Sequence, residues 1–78
     1  MSGINHAHWD GSQVVIVKSS GGKVTCKTSN FTSGGHEVVG CNVNGDEVHV
    51  LTKTKGTSKA TVYHIVTMHG QYKGRKRL

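Results

Sequence analysis

Hydrophobic and polar residues alternate with a period of two along most of this chain, and turn-forming pairs interrupt the alternation. The clearest stretch runs from Val38 to Leu51, where two β-rich runs flank Asn44-Gly45. That pair takes the two positive-φ positions of a type I′ turn, so the segment reads as a β-hairpin with a definite register. Val43 then pairs with Asp46, Cys41 with Val48 and Val39 with Val50. The register puts Val39, Cys41, Val48 and Val50 on one apolar face and Asn42, Glu47 and His49 on the other, so turn chemistry and burial pattern agree.

The same reading gives a hairpin from Gln13–Lys18 and Lys23–Thr28 around Ser19-Ser20-Gly21-Gly22. With Ser20-Gly21 as the loop, Val17 pairs with Val24 and Val15 with Cys26, and Lys18 lies directly opposite Lys23, an unfavourable pair unless solvent or an anion separates them. Further on, Ala60 to Met68 reads as a strand with Val62, His64 and Val66 on one face and Tyr63, Ile65 and Thr67 on the other. His69-Gly70 then turns the chain so that Thr67 faces Tyr72, which puts Tyr63, Ile65 and Tyr72 on one side. Residues 1–12 show no sustained period and read as an N-terminal arm anchored by Trp9. Ser29 to His36 reads as a loop whose Phe31 plugs the core, and residues 73–78 as a basic C-terminal tail, disordered without a partner.

Turn glycines Gly22, Gly45 and Gly70 recur at intervals of about two dozen residues, too weakly matched to be a repeat. Three hairpins in series predict an all-β domain over residues 13–72. We expect a five- to six-stranded antiparallel meander or barrel of SH3-like or OB-like size, with an open meander or a homodimer joined through strand edges as the alternative.

Composition narrows the picture. The 78 residues allow one domain with a small core, and the 33% of apolar positions are mostly valine in a chain without proline, which favours strands. No apolar run is long enough for a bilayer-spanning helix and no signal-like segment follows Met1, so a cytoplasmic location without a membrane partner is expected. Cys26 and Cys41 admit one bridge, but a secreted domain this small usually carries several. They read as reduced thiols acting as small hydrophobes.

Charge decides the functional expectation. Ten Lys and Arg against four Asp and Glu give +6 with neutral histidines, a strong field for so short a chain. Such a field suggests a polyanionic partner, nucleic acid first and an anionic membrane or acidic protein surface next. The cations fall in three clusters: Lys18 and Lys23; Lys53, Lys55 and Lys59; and Lys73, Arg75, Lys76 and Arg77. If two or more converge on one side they form a groove that tracks a sugar-phosphate backbone, with Tyr63, Tyr72 or Trp9 as a stacking surface. Aromatic residues are only four, which favours backbone recognition over base-by-base reading.

Other chemistry is sparse. Six histidines are present, but their spacing fits no structural metal site, the cysteines form no C-x-x-C pair, and no cofactor fingerprint occurs. The first expectation is therefore a non-enzymatic nucleic-acid-binding module of undetermined DNA or RNA preference. The second is an inhibitor or adaptor of the viral or mobile-element type that docks on an acidic protein. The third is a metal-independent ribonuclease in which two of His36, His49, His64 and His69 act as base and acid.

Overall fold

A computed structural model of the chain describes residues 3–27, 29, 31–32 and 35–78. The protein is all-β. Strands β1 (Ile4–Trp9), β2 (Gln13–Lys18) and β3 (Lys23–Lys27) form one antiparallel sheet in that order. Strands β4 (His36–Asn44), β5 (Glu47–Thr54), β6 (Val62–Thr67) and β7 (Tyr72–Arg77) form a second. The expected five or six strands are thus seven, and the expected single meander or barrel is two sheets that do not close. Their inner faces share one core: Ile4, Val14, Ile16 and Cys26 from the first sheet, Val48, Val50 and Val66 from the second, and Phe31 from the connection between them. Trp9 packs against this core, as its anchoring role required. Cys26 and Cys41 are not disulfide-linked.

The two additional strands come from segments read as arm and tail. In β1 only Ile4, Ala7 and Trp9 turn inward, and two of the outward positions are His6 and His8, so the alternation carries little hydrophobic contrast. In β7 no side chain is buried, and the strand is held by backbone pairing with β6 together with two side-chain contacts, Tyr72 to His64 and Lys73 to Glu47. Positive side chains along such an edge also discourage pairing with another chain.

Each hairpin differs from its expected register in an instructive way. In β4–β5, Asn44 pairs with Glu47 and the loop is Gly45-Asp46, with Gly45 at φ 63° and no positive φ at any described non-glycine residue. A lone positive-φ glycine in the first loop position is the II′ pattern. Every pair moves by two positions, Val43 facing Val48 and Cys41 facing Val50, so the expected faces survive. Val39 is the exception. A bulge between Val38 and Gly40 turns it out, 53% exposed, and Val38 packs against the core instead.

In β2–β3 the shift is one position: Val17 pairs with Lys23, Ile16 with Val24 and Val14 with Cys26. An odd shift reverses the faces. Val14 and Ile16 are fully buried, and Val15 and Val17 lie on the outer side. Four consecutive apolar residues cannot select a face. The turn selects it, with Lys18 N–H donating to the Gly22 carbonyl at 2.8 Å and Gly21 N–H to the Lys18 carbonyl at 2.9 Å. Lys18 and Lys23 are therefore not opposed.

In β6–β7, Val66 and not Thr67 pairs with Tyr72, and a bulge follows. Tyr72 consequently shares the inner face with Val66, away from Tyr63 and Ile65.

Candidate functional site

The second sheet is longer than the first, β4 having nine residues and β5 eight against five or six in β1, β2 and β3. At the β5–β6 loop end its inner side opens into a cleft of about 740 Å³. His36 and Thr54, paired across β4 and β5, contribute to one side of the lining, and Arg75, Lys76 and Arg77 of β7 to another. Ala60, Thr61, Val62 and Leu78 complete it. Two backbone bonds hold the end together, Thr61 N–H to the Thr52 carbonyl at 2.9 Å and Leu78 N–H to the Thr61 carbonyl at 3.0 Å. Past the bulge, Arg75 pairs with His64 and Arg77 with Val62, which sets both arginines on the inner side.

Beside the cleft lies a buried polar chain. His64 is 3% exposed, its Nε2 2.9 Å from Thr52 Oγ1 and its Nδ1 2.9 Å from the Tyr72 hydroxyl. Phe31 meets the His64 ring edge-on, with centroids 5.4 Å apart. A neutral imidazole has one donor and one acceptor, and hydroxyls on both sides satisfy either tautomer. Burial holds the His64 pKa below its usual 6.5, and the charges of Arg75 and His36 push it the same way. In His36 the Nδ1 atom is itself buried without a hydrogen-bond partner, an unused polar group in the cleft lining.

The lowered pKa fixes the sign of a pH effect. Below about 6.5 the unfolded chain binds a proton at His64 that the folded chain still refuses, so stability falls with pH until the folded pKa is passed. Thermal midpoints measured between pH 7.5 and pH 5 are expected to drop more in the native protein than in His64→Gln, whose side-chain amide can still meet Thr52 Oγ1. Parallel curves for the two proteins would contradict the assignment.

Among the residues predicted from sequence, the structure brings together Arg75, Lys76 and Arg77. The loop carrying the exposed Lys55 and Lys59 leads directly into the cleft-lining Ala60 and Thr61. Lys53 is drawn off to Glu37 at 3.4 Å and donates to the Thr57 carbonyl at 2.5 Å, and Lys73 pairs with Glu47 at 2.7 Å. Lys18 lies with Lys23 at the other end of the molecule, its Nζ 3.5 Å from His69 Nδ1 beyond the far end of β6. Tyr63 stands on the outer face of the second sheet, against the His49 ring at 4.8 Å, and Tyr72 is occupied with His64 on the inner side. His49 and His64 are therefore on opposite faces and do not form a pair. Sequence reasoning missed Thr61 and gave His36 no place in a cation site. Long-range pairing assembles these residues, and no local signal marks them. No protein-family model, curated protein or solved structure matches the chain.

Proposed function

We propose that the chain is a small β-sandwich module that binds nucleic acid through its phosphates, with the backbone seated in the cleft between the β5–β6 loop and the end of β7. The observation that carries this reading is the lining itself, which holds Arg75, Lys76, Arg77 and His36 with hydroxyls from Thr54 and Thr61, and no Asp or Glu side chain. A guanidinium fork matches phosphate oxygens in a bidentate manner, and hydroxyls and lysines complete the set of side chains that contact a sugar-phosphate chain. The acidic residues Asp46 and Glu47 sit at the opposite end of β5, and Glu37 beside His36 is paired with Lys53 at 3.4 Å. At about 740 Å³ the cleft has room for a nucleotide-sized group.

The test is a fluorescence-anisotropy titration of a short labelled duplex, a short single strand and polyglutamate of similar charge, at low and near-physiological salt. Nucleic acid is expected to bind more tightly than polyglutamate, and to weaken as salt rises. No binding at low salt, or equal affinity for the polypeptide, would overturn the reading.

A further inference from the structure

We infer that the outer face of the four-stranded sheet is a stacking platform for the bases of single-stranded nucleic acid, continuous with the cleft around the β7 edge. The inference rests on the phosphate reading above and names the form of nucleic acid that the site takes. Strand pairing lines up two neighbouring cross-sheet rows on this face. One runs Gly40, Leu51, Tyr63, Lys76 and the other Asn42, His49, Ile65, Gly74. His49 and Tyr63 from adjacent rows already pack ring against ring in a tilted arrangement, centroids 4.8 Å apart and planes inclined by 31°. Leu51 and Ile65 beside them are half-buried, as are the two rings, so the centre of the face is an apolar and aromatic surface partly exposed to solvent.

The edges of the face are open as well. Gly40 has no positive φ, and a Cβ built on it would meet nothing within 4 Å, so neither backbone conformation nor packing calls for glycine there. Gly74 on the opposite edge, whose φ of 152° does favour glycine, has no neighbour within 4 Å of such a Cβ either. A missing side chain at one end of each row, Gly40 in the first and Gly74 in the second, leaves the surface accessible to a planar ring.

Charge says what kind of ring. Lys76 stands at the end of the Tyr63 row, borders the cleft as well and forms no ion pair among the described residues, while the register sets its chain neighbours Arg75 and Arg77 on the inner side. Lys73 also reaches this side of the sheet, its Nζ 2.7 Å from Glu47, whose carboxyl this hydrogen bond holds below the usual carboxylate range. A strand whose phosphates pass from Arg75 and Arg77 to Lys76 therefore crosses the β7 edge and delivers its next bases onto Tyr63 and His49. Stacking of this kind is indifferent to sequence because every base has a π-face. A duplex keeps its bases paired inside and has none to offer, so only the cleft contacts remain to it.

The experiment compares a short oligothymidylate with a duplex of equal length, using native protein and Tyr63→Thr, which retains a strand-favouring side chain. Loss of the ring is expected to weaken oligothymidylate binding about tenfold and to change duplex binding by less than about twofold. As a readout that needs no variant, the ring protons of His49 and Tyr63 in the native protein should move upfield in NMR spectra when oligothymidylate is added. Unchanged affinity of Tyr63→Thr together with unmoved ring protons would overturn the platform. If Arg75→Ala/Arg77→Ala still weakened both nucleic acids in that case, the phosphate reading would stand alone. A dimer that buries this face and persists in excess oligothymidylate would also overturn it.

Discussion

Replacing Arg75 and Arg77 together by alanine is expected to weaken nucleic-acid binding about thirtyfold at about 0.15 M salt. Each phosphate contact that is lost forfeits the release of its condensed counterions, worth a factor of about five at that salt, and two contacts multiply. The double variant should fold normally, because β7 is held by its backbone ladder to β6 and neither arginine side chain is buried. Lys18→Ala is the matched control. Lys18 lies beyond the far end of β6, whose five residue steps of about 3.3 Å span roughly twice the screening length of about 8 Å. Its removal should change affinity by less than about twofold. Anisotropy titrations of the three proteins decide the matter, and equal losses at both ends would mean that the positive field acts without a site. Deleting the chain from Lys73 is not an equivalent test, since it removes almost all of a strand.

Phe31→Ala is expected to cost about 3–5 kcal/mol of stability, the range for emptying a buried aromatic site. A chain of 78 residues has about 4–12 kcal/mol in total. The change therefore takes a large share of the fold. Phe31 is 1% exposed and is the one core side chain, among the described residues, that comes from outside the strands. It closes the space between the sheets while packing on His64 and, at 6.0 Å, on Tyr72. Its loss empties the core and loosens the Thr52–His64–Tyr72 chain, whose central residue pairs with Arg75. Equilibrium urea unfolding gives the number. A cost under about 1 kcal/mol would show that the connection is not part of the core.

Legibility in the sequence followed the physics of each element. The faces of β4 and β5 could be read even though the turn was misplaced by one residue, because moving a two-residue loop along by one shifts pairs by two and preserves sidedness. Val39 could not be read, since a bulge leaves no mark in the alternation of side chains. In β2 the run Val14 to Val17 is apolar on both faces, so the choice fell to backbone hydrogen bonds in the turn. Strand β7 was hidden for the opposite reason: Tyr72 to Arg77 buries no side chain, and a strand held mainly by its ladder looks like a solvated tail. The cations at 75–77 were legible as charge. Their cleft was not, because it needs His36 opposite Thr54 and Leu78 bonded to Thr61, contacts between residues far apart in the chain. Tyr72, expected on a stacking surface with Tyr63, was carried to the other face by the register at the β6–β7 turn.

The slope of log affinity against log salt for a short duplex tests the phosphate-binding cleft most directly, because it counts phosphates and is insensitive to small changes in folding. With Arg75, Lys76 and Arg77 each neutralising one phosphate at about 0.9 per contact, the native protein should give a slope of about −2.7 or steeper. Arg75→Ala/Arg77→Ala should be shallower by about 1.8. Identical slopes for the two proteins would contradict the account.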